Sequence, residues 1–82
     1  MGKNPFKNII DEVKSSSIEL SSNKRMVVTD CKYVADYSKE KIILNIGELD
    51  VEITGEELVL SGFSYGETCI EGTIVSIGFR NS

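Results

Sequence analysis

From Arg25 onward, apolar and polar residues alternate with a period close to two, the spacing that sends successive side chains to opposite faces of a strand. Cys31, Tyr33, Ala35 and Tyr37 alternate with Lys32, Val34 and Asp36, and Ile42, Leu44 and Ile46 alternate with Ile43 and Asn45. The polar stretch Ser38 to Lys41 between them reads as a turn. Leu49, Val51 and Ile53 alternate with Asp50, Glu52 and Thr54, and Gly47-Glu48 just before them suits a two-residue hairpin in which glycine supplies a positive φ. A second turn is expected at Thr54-Gly55-Glu56-Glu57, ahead of Leu58-Val59-Leu60, and a further reversal between Ser61 and Glu67. In the last segment, Thr68 to Arg80, Ile70 lies on one parity and Val75, Ile77 and Phe79 on the other. That change predicts a bulge near Gly72.

The N-terminal pattern differs. Phe6, Ile9, Ile10 and Val13 follow i, i+3, i+4, i+7, with Asn4 placed as N-cap and Pro5 at the first helical position. This predicts a short amphipathic helix over residues 5–14. Serines at 15–17 and 21–22 compete for backbone hydrogen bonds and end the pattern, so residues 15–23 read as a linker with Ile18 and Leu20 as anchors. Short strands at spacings of about 8–10 residues argue a small antiparallel β-meander rolled into a barrel or sandwich. The expected organisation is residues 1–23 as helix and linker and residues 24–82 as a single β domain. Its core is expected from Ile42, Leu44, Ile46, Leu49, Val51, Ile53, Leu58, Leu60, Ile74 and Ile77.

Composition narrows the chemistry. Leu, Ile, Val and Phe make up 25 of the 82 residues, above the roughly 20% below which a charged chain stays disordered. No apolar run exceeds three residues, far short of the ~18 that a membrane span needs. Direct membrane insertion is not expected, although a membrane-protein partner is compatible with the sequence. The chain has no histidine, which removes imidazole base catalysis, His-dependent triads and mixed Cys/His metal sites. No cofactor or metal is expected.

The net charge of −4 is unevenly spread, with eight Lys/Arg against six Asp/Glu in residues 1–41 and one against seven in residues 42–82. A nucleic-acid binder needs clustered cations to release counterions, and the second half offers only Arg80. Nucleic acid is therefore not an expected partner. Lys24-Arg25, with Lys32 nearby, reads as a solvated strand end. Cys31 and Cys69 lack a signal peptide to export them, so they are expected as unpaired thiols in a reducing, cytoplasmic setting.

Several stretches taken together, in order and spacing, resemble a known family. They are Tyr37-Ser38-Lys39-Glu40-Lys41-Ile42, then Gly47-Glu48-Leu49-Asp50-Val51-Glu52-Ile53-Thr54-Gly55-Glu56-Glu57-Leu58-Val59-Leu60, then Ile70-Glu71-Gly72-Thr73-Ile74-Val75-Ser76-Ile77-Gly78-Phe79. In this order they resemble the YabP/YqfC family of sporulation proteins, over about two-thirds of the chain. Ser17-Ile18-Glu19-Leu20 also looks like a segment that precedes the sheet in the YqfC branch, without its proline. The resemblance implies a role in endospore formation in the cytoplasm of a Gram-positive bacterium and brings no catalytic motif.

The remaining candidates for chemistry have plain structural readings. Asp50 and Glu52 share a face, but two carboxylates seldom hold a cation that wants 6–8 oxygens. Glu56 and Glu57 point to opposite faces of a strand, and Ser15 to Ser17 have no base beside them. Gly62-Phe63-Ser64-Tyr65-Gly66 has no lysine and no following helix, so it reads as a hairpin loop rather than a phosphate cradle. The expectation is a non-enzymatic assembly protein that binds a protein partner, or itself as a homo-oligomer. It would do so through a sheet edge or through the helix stripe of Phe6, Ile9, Ile10 and Val13. The alternative is a carbohydrate- or peptide-binding domain that uses Tyr33, Tyr37, Phe63 and Tyr65.

Overall fold

The computed structural model describes residues 16–64 and 66–81, and the helix expected over residues 5–14 lies outside them. Six strands follow one another: β1 (Ser17–Ser21), β2 (Arg25–Thr29), β3 (Tyr33–Tyr37), β4 (Lys41–Asn45), β5 (Leu49–Ser64) and β6 (Glu67–Asn81). They form one antiparallel sheet in the order β1-β2-β6-β5-β4-β3. The strands at the two ends of that order do not pair with each other, so of the expected meander rolled into a barrel or sandwich the antiparallel meander is present as one open sheet and the closed barrel is not formed.

The long β5–β6 hairpin is shared by two offset halves. In the half next to its turn, β2 pairs with residues 68–71 of β6, and β1 pairs with β2. In the half next to its open end, β4 pairs with residues 50–54 of β5, and β3 pairs with β4. Between the halves the β5–β6 ladder slips at Thr54/Gly55 and at Glu56/Val59, with positive φ at Glu57 (53°) and Gly72 (135°). The turn expected at residues 54–57 is thus a double bulge inside one continuous strand. Opposite Gly72 the extra residue stands in β5, where Glu57 and Leu58 face one residue of β6, and the extra residue of β6 is Val75, so the parity change expected near Gly72 falls three residues later.

Each flanking hairpin is anchored to this bend. The β1–β2 turn accepts hydrogen bonds from Gly72 N at Lys24 O (3.1 Å) and from Ile74 N at Asn23 O (2.7 Å). The β3–β4 turn accepts from Gly55 N at Glu40 O (3.0 Å) and from Leu58 N at Lys39 O (2.8 Å). The two halves are therefore braced in the same way from opposite flanks. Gly55 and Gly72 allow the close approach: a Cβ on Gly55 would overlap Thr73 O, and one on Gly72 would lie 2.5 Å from Glu57 O.

The core joins inner-face residues of both halves: Met26 and Val28 from β2, Ile42 and Leu44 from β4, Val51, Ile53 and Leu58 from β5, and Ile70 and Ile74 from β6. Six of the ten residues expected in the core are buried. Ile46, Leu49, Leu60 and Ile77 are only partly buried, Cys31 is buried as a small apolar core residue, as expected of an isolated thiol, and Met26, Val28 and Ile70 take fully buried places outside the expected set. The stretch read as a linker contains β1, whose Ile18 and Leu20 stand opposite Val28 and Met26. Polar and apolar residues alternate in Ser-Ile-Glu-Leu-Ser, but three β-neutral polar residues in five hid the strand.

Candidate functional site: the sheet edges

In an antiparallel pair, residues directly opposite each other share a face, so the register assigns every side chain to the inner or the outer surface. Of the aromatics of the alternative reading, Tyr33 and Tyr37 do not share a face. Tyr33 stands opposite Asn45 and Tyr37 opposite Ile42, which puts the two tyrosines on opposite faces of β3. Tyr65 lies outside the described residues. Two carboxylates of the outer face are engaged with cations: Glu52 lies 3.8 Å from Lys41 Nζ and 3.6 Å from an Arg80 guanidinium nitrogen, and Glu71 pairs with Arg25 at 3.4 Å. Asp50 accepts from buried Asn45 Nδ2 at 2.9 Å, and Asn45 also bonds both ways to the Gly47 backbone. Among the described residues, no three His, Cys, Asp or Glu gather closely enough to hold a metal ion.

The Asp30 to Lys32 connection crosses between the halves. Cys31 N donates to Gly66 O and Lys32 N donates to Asn45 O, both at 2.7 Å. Both thiols are free, with Cys31 buried and Cys69 half-buried. Cys69 is expected to react with a thiol reagent in the native protein and Cys31 only after denaturant is added. Equal, fast reaction of the two thiols would mean that the crossing opens readily in the native state.

Two shallow grooves accompany these features. One, of about 220 Å³, runs over the outer face of β5 and β6 at Gly78, between Glu52, Thr54, Ser76 and Arg80. The other, of about 440 Å³, lies between Asp30, Lys32 and the Ile46–Leu49 turn, with Ser16 on its rim. Neither brings together a nucleophile, a base and an oxyanion donor.

Because the halves are offset, the sheet has four free edge stretches, and two of them are blunted. Along β3, a bulge between Val34 and Asp36 breaks the ladder, and the Asp36 carboxylate accepts from Tyr37 N at 2.9 Å. Along β5 beyond Leu58, the Tyr37 hydroxyl accepts from Leu60 N at 3.4 Å, and the register slips between Leu60 and Gly62. The other two are regular. β1 pairs with β2 over all five of its residues without a slip, and Leu49–Thr54 pairs with Ser76–Asn81 of β6 without a slip. Both of these edges lie on the same flank of the sheet, the flank that β2 occupies beside the first part of β6. Strands without a bulge, proline or lysine leave backbone donors and acceptors open to another strand. The sequence reading singled out sheet edges as a class, but which stretches are edges depends on a strand order that no local pattern states.

The fold is that of an all-β domain built as one open antiparallel sheet, with no catalytic constellation among its described residues. The YabP family model matches residues 12–82, and the chain belongs to the YabP family, a family of sporulation-associated proteins that is not a known enzyme family. No curated protein and no solved structure matches the chain. Among the described residues, no helix is long and apolar enough to cross a membrane.

Proposed function

We propose that the protein is a non-enzymatic assembly module of endospore formation that binds a protein partner by strand addition to the sheet. The observation that carries this reading is the regular, unblunted edge of β1, with Leu20 half-exposed on its inner side. Strand addition takes its affinity from main-chain hydrogen bonds and its selectivity from alternate side chains, and β1 offers both. Family membership supports the sporulation setting. The helix stripe of Phe6, Ile9, Ile10 and Val13 lies outside the described residues, so the edge alone supports the reading.

Proline substitution tests it. Of two consecutive amides in an edge strand, one points into the sheet and the other away from it, so Ile18→Pro and Glu19→Pro separate the two cases. The substitution that removes the inward amide is expected to weaken the β1–β2 ladder. The one that removes the outward amide is expected to keep the circular dichroism spectrum and denaturation midpoint while lowering the yield of heat-resistant spores. Wild-type spore yield from that folded variant would overturn the reading.

A further inference from the structure

The two open edges are complementary in charge and in apolar content, and they lie on one flank. On β1, Glu19 points to the outer face between the inner-facing Ile18 and Leu20. On β6, Arg80 points to the outer face, opposite Asp50, beside the inner-facing Phe79, which stands opposite Val51. Leu20 (52% exposed) and Phe79 (58%) are large apolar side chains left open on those edges. Among the described residues no cation pairs with Glu19, and Arg80 reaches Glu52 only at 3.6 Å. Within one chain β1 and β6 are both antiparallel to β2, so they run parallel to each other. A two-fold rotation about an axis normal to the sheet reverses one of them and keeps the inner faces on the same side.

Resting on the strand-addition reading, we infer that the partner includes a second copy of this chain. Ile18–Ser21 of each copy lies antiparallel against Gly78–Asn81 of the other, with Glu19 opposite Arg80, Leu20 opposite Phe79 and Ser21 opposite Gly78. The contact is isologous: the rotation that seats one β1 seats the other, giving two ladders instead of one. Gly78 has no side chain to obstruct the approach, and an ideal Cβ built there meets nothing within 4 Å. Direct pairing of β1 with its own symmetry mate, centred on the strand, would set Glu19 against Glu19 and is disfavoured by like charge.

The test is the mass of the full chain in solution across a concentration series, by light scattering on a sizing column. The wild type is expected to reach the mass of a dimer. Glu19→Arg and Arg80→Glu are each expected to weaken dimerisation about tenfold or more, since each places like charges together at both ladders. An equimolar mixture of the two variants is expected to restore the dimer, because every contact then pairs unlike charges. A wild type that stays monomeric, or a dimer indifferent to both exchanges, would overturn the inference. If the chain is monomeric and the edge-blocking proline still lowers spore yield, the partner is a different protein and only the second-copy inference falls.

Discussion

Replacing Gly72 by alanine is expected to destabilise the domain by about 3 kcal/mol or more, the combined effect of a left-handed backbone and a collision. The residue sits at a φ of 135°, and an added Cβ would lie 2.5 Å from the Glu57 carbonyl oxygen. That oxygen cannot easily retreat. It belongs to backbone held from the far side, because the next residue, Leu58, is fully buried and its N–H donates to Lys39 O. A domain of this size holds about 5–15 kcal/mol in all, so the variant would unfold at a much lower urea concentration. Gly78→Ala supplies the contrast: its added Cβ meets nothing within 4 Å, and Gly78 is not among the positive-φ glycines. If both alanines move the urea midpoint equally little, the strands do not approach each other at the bend as described.

Leu44→Ala and Ile53→Ala are each expected to cost about 2–5 kcal/mol, the range for emptying a packed aliphatic site. Leu44 is fully buried between Val34 on β3 and Val51 on β5, and Ile53 is fully buried between Ile42 on β4 and Ile77 on β6. Both belong to the half of the sheet that lacks β2, yet they pack in one cluster with Met26 and Val28 of the other half. Loss of either should therefore melt the whole sheet in a single transition. Val75→Ala, at a residue 68% exposed on the bulge, should change little. A biphasic denaturation curve for Leu44→Ala would show that the halves unfold separately.

What was legible in the sequence follows from how local each signal is. The Gly47 hairpin was readable because glycine between alternating runs has few other uses, and Gly47 carries a positive φ; the parity change of β6 was readable as well, but it falls at Val75 rather than at Gly72. Thr54-Gly55-Glu56-Glu57 was misread as a turn because bulges and turns draw on the same residues. Only the matching length of β6 shows that the strand continues. Ile42, Leu44, Val51 and Ile53 declared their facing through a short hairpin register, whereas Met26 and Val28 owe their burial to Ile70 and Thr68, forty or more positions away. The edges were the least legible part: Glu19 and Arg80 look like ordinary surface charges until the strand order puts them on one flank.

The order of the strands also sets a schedule for the ribosome. β2 leaves it early, but its partner on β6 is made last: Glu71, which faces Arg25, is 46 residues further on. At about 5–20 residues per second, the first hairpin waits about 2–9 s with β2 unpaired on the side that β6 will fill. During that interval the nascent chain exposes Met26 and Val28 along with two bare strand edges, the surface most prone to capture by a neighbouring chain. Arg25 at one end of β2 and Lys24 in the adjoining turn are the only cations on that hairpin, and with Glu19 on β1 they are its electrostatic protection until β6 arrives.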